Sequence, residues 1–314
     1  MPPRLLRYSE LDLAAWDACV AAAREVVPYA CSWWLHATAG RWEASVEVEE
    51  GTGRYLSVLP LPIKWRLQGK EVYQPAFTQQ LGLLTLPESQ FADLLQHLRL
   101  LPKRYARLYT QLNDQTPIPP PLTPFTSQAR VTYHLPLQPE YATLHAGYAA
   151  DYRRRLRLSN QLFTPLTVKA AASVDEMLAL FKQHSGKAAG LKSKHYQQLQ
   201  TLYAALQQHN QALLLEVRGP ETGELLAAAL FVKFRTRLIY LFAAASPAGK
   251  KAAAPLLLLD YVIQRYAGTP ELVLDFEGGM IESIARFFAN FGATPVPYVA
   301  LSFTQRPWYL QWIR

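Results

Sequence analysis

Two stretches of this chain share one pattern at a fixed spacing. Residues 47–66 read EVEEGTGRYLSVLPLPIKWR, and residues 216–235 read EVRGPETGELLAAALFVKFR. Each passes through a Gly-bearing turn into an apolar run that ends on Lys-aromatic-Arg: Lys64-Trp65-Arg66 and Lys233-Phe234-Arg235. A further apolar run follows each copy, KEVYQPAF in the first and RLIYLFAA in the second. Self-similarity at constant spacing, here roughly 169 residues, implies duplicated units. Strands alternating with helices in each copy predict an α/β chain with two like domains, 1–135 and 136–314.

The 314 residues suffice for two domains of ordinary size, and 50% hydrophobic with 18% charged residues supplies a core and excludes a disordered chain. A net charge of +8 favours anionic partners such as phosphate esters, nucleic acid or an anionic membrane. Cys19 and Cys31 form no disulfide framework, the seven histidines are scattered, and no metal site is expected. The opening MPPRLLRYSELDL lacks the apolar run of a signal peptide, and nothing approaches the ~20 apolar residues of a membrane span. A cytoplasmic protein is expected.

Helical spacing is read at 11–27, 87–101, 172–186 and 192–210. Ser173 with Glu176 three residues on predicts a capping box. The run PLLLLDYVIQRYAG opens on Pro255 and stops at Gly268, a helix with its punctuation in place. The segment TPIPPPLTPFT is a loop, because its prolines forbid helix and central strand alike.

Four segments carry candidate chemistry. In VLDFEGG, residues 273–279, period two places Leu272, Leu274 and Phe276 on one strand face and Val273, Asp275 and Glu277 on the other. Two carboxylates at a strand's carboxyl end suit proton transfer; alternatively Glu277 stabilises the next helix's N-terminus and Asp275 bonds a neighbouring strand or arginine, and on either reading Gly278 and Gly279 leave the backbone approachable. The segment SPAGKKAAAP reads as a loop that aims free N–H groups at whatever precedes the next helix, with Lys250 and Lys251 adding charge, or as an ordinary connection with solvated lysines. In YAADYRRRLR, Tyr148, Tyr152 and Leu156 face the core, and Arg153, Arg154 and Arg157 form a phosphate-reading face or a solvated one. In YQPAFTQQLG, the amides of Gln74, Gln79 and Gln80 beside Tyr73 read a substrate or satisfy their own turn.

The order of strand, small-residue basic loop, helix, acid-ending strand and helix resembles the acyl-donor half of the GNAT acyltransferase fold. With YQPAFTQQLG, YRRRLR, GKKAAAPLLLLDYVI and LDFEGGMIESIARFFANFGA, the whole chain resembles the tandem-GNAT relatives grouped with FemAB-type aminoacyltransferases and the BioF-like acetyltransferases. That resemblance implies two GNAT-like domains and acyl transfer to an amine of a small molecule, peptide or cell-envelope precursor. It assigns Gly249, Lys250, Lys251 and Ala253 to an acyl-CoA (acetyl-CoA) donor, and Glu277 or Asp275 to the acceptor amine. It also places Tyr73, Gln74, Gln79, Gln80, Arg153 and Arg154 on the substrate side. Ala253 stands where the family's loop has glycine, and Pro255 fills its last position, which narrows the cradle. Aminoacyl-tRNA, the donor of FemAB-type enzymes, is therefore a second candidate donor, and a non-catalytic binding pair is a third reading.

Overall fold

The computed structural model describes residues 1–117, 120–161 and 164–305. Two compact units divide the chain: residues 1–130 with the segment from Pro297 onward, and residues 131–296. Positions 118 and 119 of the proline-rich loop lie outside the described residues.

The first unit runs β1 (Arg4–Leu6), α1 (Leu13–Ala22), α2 (Ser32–Thr38), β2 (Trp42–Val48), β3 (Tyr55–Arg66), β4 (Gly69–Val72), β5 (Leu84–Thr85), α3 (Leu94–Leu98) and β6 (Arg107–Gln111). Asp12 starts α1 by accepting from the N–H groups of Ala14 and Ala15, the usual work of an N-cap carboxylate. The sheet order is β1-β2-β3-β4-β6, with β5 beside β3. The β4–β6 pair is parallel, and the other pairs named here are antiparallel. Leu59, Leu61, Leu98, Tyr105 and Leu108 centre one core, and Trp16, Trp34 and Trp42 are buried completely.

The second half runs β7 (Thr126–Pro136), α4 (Tyr141–Ala146), α5 (Ala150–Asn160), β8 (Val168–Ala170), α6 (Val174–His184), α7 (Gly186–Ala189), α8 (Ser193–Gln208), β9 (Ala212–Arg218), β10 (Leu225–Phe234), β11 (Arg237–Ala245), α9 (Pro247–Lys251), α10 (Ala254–Tyr266), β12 (Val273–Asp275), α11 (Glu282–Ala289) and β13 (Thr294–Thr304). The second unit's sheet is ordered β8-β9-β10-β11-β12-β7, with β11–β12 its parallel pair. Helix α10 is apolar nearly all round, with Leu256, Leu258, Leu259, Val262 and Ile263 buried, as expected of a helix enclosed by the core. Ser173 caps α6 by accepting from the Asp175 N–H. Glu176 reaches Arg218 at 2.7 Å instead of completing a capping box.

Strand for strand, β1-β2-β3-β4-β6 repeats β8-β9-β10-β11-β12 in order and sense. The closing strands do not follow the repeat. β7 comes after β6 in sequence, yet its residues 134–136 pair with β12. β13 comes after β12, yet residues 300–304 pair with β6. The boundary expected at 135/136 thus falls inside β7. The repeat marks where each copy begins, whereas strand pairing is settled by non-local fit.

Candidate active site

β11 and β12 run together for only three pairs, Arg237–Val273, Leu238–Leu274 and Ile239–Asp275. β12 then ends, while β11 continues to Ala245 against β10. The β10–β11 register steps from Phe231–Tyr240 to Leu230–Phe242, so Leu241 is an extra residue in the ladder. Such a bulge bends its strand and strengthens the local twist. A cavity of about 380 Å³ adjoins the unpaired stretch, lined by Tyr240 and Ala243–Ala245 of β11, by Lys250, Ala253 and Leu256, by Arg155 of α5 and by Phe287 of α11. Alanines on β11 leave that volume empty; larger side chains would fill it.

The segment after β11 is not an open loop. Ser246 caps a short helix, α9, accepting from the Gly249 N–H at 2.9 Å. The amides of Lys250, Ala252 and Ala253 bond back to Ser246, Ala248 and Lys250, and those of Leu256 and Leu257 bond to Ala253. Pro255 has no N–H. The row of free amides expected before α10 is therefore largely engaged within the chain. Gly249 has a packing role: a Cβ there would sit 2.0 Å from the Leu226 carbonyl oxygen. Ala253 takes the left-handed conformation, φ +61, where glycine is ordinarily preferred.

Side chains supply the positive charge. Both lysines are exposed, but Lys250 lines the cavity and Lys251 is absent from its lining. Arg155 joins Lys250, donating from Nη2 to the Lys250 carbonyl at 2.9 Å. Nothing in the run of arginines at 153–157 marks Arg155 out from its neighbours. At 100° per residue, Arg155 flanks the buried Tyr152–Leu156 stripe on one side, and Arg153 and Arg157 flank it on the other. Arg153, Arg154 and Arg157 line a different cavity with Tyr141, His145 and Asp260. Arg154 also pairs with Asp151 at 2.8 Å.

The acids of VLDFEGG separate. Leu272, Leu274 and Phe276 enter one core cluster, as the strand period predicts. Asp275, 3% exposed, lies on the opposite face. It accepts from Thr132 Oγ1 at 2.8 Å, Arg237 Nη1 at 3.3 Å and the Glu277 N–H at 3.0 Å, with His134 Nε2 at 3.3 Å. Burial alone would raise its pKa, but His134, Arg237 and the Glu277 amide outweigh burial and hold it down to about 2. A carboxylate so engaged is a poor base. Glu277 does not share its face, because the strand ends at Asp275 and Glu277 turns left-handed at φ +47. Gly279 owes its place to packing: a Cβ would lie 2.6 Å from the Val131 carbonyl oxygen of β7. Phe276, Phe288 and Tyr240 pack around this corner, with ring centroids 4.8–6.4 Å apart, and burial raises the Tyr240 hydroxyl's pKa.

The amides of YQPAFTQQLG lie in the first unit and serve its backbone. Gln74 donates to the Thr78 carbonyl and accepts from the Gln111 N–H; Gln80 accepts from the Asp114 N–H and donates to Gln79. Tyr73 donates to the Ala39 carbonyl, and burial raises its hydroxyl pKa. Among the described residues, no group of three or more His, Cys, Asp or Glu could hold a metal ion, and no helix is long and apolar enough to cross a membrane.

Residues 146–282, which span α5 through β12 and include most of the cavity lining, match the model of the acetyltransferase (GNAT) domain family. The matched domain is that of an acyltransferase. The whole chain has a tandem GNAT fold. It superposes on the crystal structure of FemX with a TM-score of 0.68 at 11% identity, covering 99% of each chain. It superposes on a tandem GNAT protein from the clavulanic acid biosynthesis pathway with a TM-score of 0.54 at 13% identity, covering 97% of this chain and 99% of that one. A conserved protein of unknown function from Bacteroides thetaiotaomicron VPI-5482 gives 0.58 at 10% identity, covering 97% and 100%. No curated protein matches the chain in sequence.

Proposed function

We propose that the second unit transfers an acyl group from a thioester donor such as acyl-CoA to the amine of a small molecule or peptide. The carrying observation is the parting of β11 from β12 beside the Lys250–Arg155 cavity, inside the matched domain. An acyl-CoA supplies an electrophilic thioester carbonyl and a phosphate-bearing handle. Lys250 and Arg155 hold the phosphates, with Lys251 at the approach. Backbone groups of the unpaired β11 stretch align the donor, and an N–H at the Leu241 bulge polarises the thioester carbonyl. Glu277, at the mouth of the strand-to-helix turn, accepts the amine's proton as nitrogen attacks. Asp275 fixes the Glu277 amide and stays ionised without taking that proton. A cytoplasmic site of action accords with such a donor.

A second reading, an aminoacyl-tRNA donor acting on a peptide or cell-envelope precursor, draws on the engaged amides before α10, since a grip made by side chains suits other phosphate-bearing donors. Release of free thiol from acetyl-CoA, followed over a panel of amines, tests the first reading. Salt-sensitive binding of aminoacyl-tRNA with no thiol release supports the second. Acyl-CoA binding without turnover in any pairing points to a pair of domains that only binds, and absence of both activities and both bindings overturns the assignment of the cavity.

A further inference from the structure

The β3–β4 and β10–β11 hairpins are copies whose tips differ. In the second unit Phe234 pairs with Arg237, the turn is Arg235-Thr236, and the aromatic ring is only 8% exposed. In the first unit Arg66 pairs with Gly69, which moves the turn one residue further along to Leu67-Gln68. Trp65, the counterpart of Phe234, is 64% exposed there, and Leu67 is 98% exposed. Extending a hairpin to carry a tryptophan and a leucine into water is unfavourable unless another surface meets them.

The cations around this tip divide into those paired with carboxylates and those exposed to solvent. Lys64 is met by Glu71 at 3.5 Å, and Lys70 and Arg104 by Glu43 at 2.7 and 3.1 Å. Both carboxylates are buried, so they present no negative surface. Arg66, Lys103 and Arg107 are exposed and have no acidic partner among the described residues. Arg107 follows Ala106, whose Cβ lies 3.4 Å from the position of a Cβ on Gly69, beside the turn, and Lys103 precedes Ala106 by three residues. Tryptophan favours the headgroup region of a bilayer, an aliphatic side chain the acyl boundary, and arginine and lysine the anionic headgroups. A single-stranded nucleic acid would exploit Trp65 by stacking but leave the fully exposed Leu67 unmatched.

We infer that the β3–β4 tip docks on an anionic lipid surface, with Trp65 and Leu67 entering the headgroup boundary and Arg66, Lys103 and Arg107 facing lipid phosphates. The inference is independent of the acyl-transfer reading, because it concerns the first unit and needs no turnover. The test is co-sedimentation of the full chain with phosphatidylcholine vesicles, with and without phosphatidylglycerol. Binding is expected only to the anionic vesicles and is expected to weaken with salt. Trp65→Ser with Leu67→Ser should reduce it at least ~10-fold, as should Lys103→Glu with Arg107→Glu. All four side chains are exposed or nearly so, and melting temperatures should stay at the wild-type value. Equal binding by the Trp65/Leu67 variant overturns the proposal. So does equal binding to uncharged vesicles, or Trp65-dependent binding of tRNA without vesicle binding.

Discussion

Arg155 Nη2 donates to the main-chain carbonyl of Lys250 at 2.9 Å, which ties the middle of α5 to α9 at the edge of the cavity. The bond holds one cation beside another where most backbone amides are engaged. On the proposed reading, an anionic donor is held here by two side chains, each placed by a different helix.

The first prediction follows from that pairing. Arg155→Ala should weaken acyl-CoA binding by roughly 10–100-fold, the equivalent of one or two charge-assisted hydrogen bonds. Lys251→Ala, outside the cavity lining, should weaken it far less. Titration calorimetry on both variants checks the ranking. Equal losses would mean that the cavity does not define the donor site.

Asp275 and Glu277 should respond in opposite ways. Glu277→Gln is expected to lower turnover by roughly 10²–10⁴-fold with little change in melting temperature, as for a positioned general base. Asp275→Ala leaves Arg237, 7% exposed, without its carboxylate, and should destabilise the second unit by about 3 kcal/mol or more. Turnover per folded molecule and thermal melting, measured on the same preparations, separate the two roles. A stable Asp275→Ala protein would show that the buried pair contributes little.

In the first unit, His97 is fully buried, with Ser45 Oγ at 2.9 Å from Nδ1 and the Phe91 carbonyl at 3.2 Å from Nε2. Burial depresses its pKa from 6.5 to about 4. The folded state thus keeps His97 neutral where the unfolded chain would protonate it. This contribution is complete above pH 6.5 and is lost as the pH falls towards 4. At roughly 1.4 kcal/mol for each pH unit, the loss amounts to about 3 kcal/mol. Urea titrations across this range should show the slope in wild type and a flatter one in His97→Gln.

Gly249→Ala tests whether α9 is held by backbone packing. The added methyl would meet the Leu226 carbonyl oxygen at 2.0 Å, so α9 must move away from β10. A loss of about 1–3 kcal/mol is expected, together with weaker donor binding, because Lys250 moves with the helix. Unchanged melting and affinity would show that α9 is not fixed in place.

The sequence by itself determined the repeated unit, the elements of each copy and the chemistry at hand. The recurring Lys-aromatic-Arg at 64–66 and 233–235 marked equivalent hairpins, Pro255 and Gly268 bracketed α10, and the alternation of Leu272, Leu274 and Phe276 foretold the buried face of β12. These are local signals: period, capping and turn chemistry act within a few residues. Tertiary structure decided the rest. β7 pairs with β12 and β13 with β6 because a strand's partner is chosen by fit across the sheet, which leaves no trace in neighbouring residues. Four small residues after β11 permit a loop or a helix equally; Gly249 packing on Leu226 and Ser246 capping made it α9. Asp275 and Glu277 look alike in sequence, but Arg237, thirty-eight residues away, claims the first, and a left-handed turn carries the second off the strand. Arg155 is one of four arginines within five residues, and the side of α5 that meets α9 singled it out, because long-range packing determines which identical side chain reaches a site.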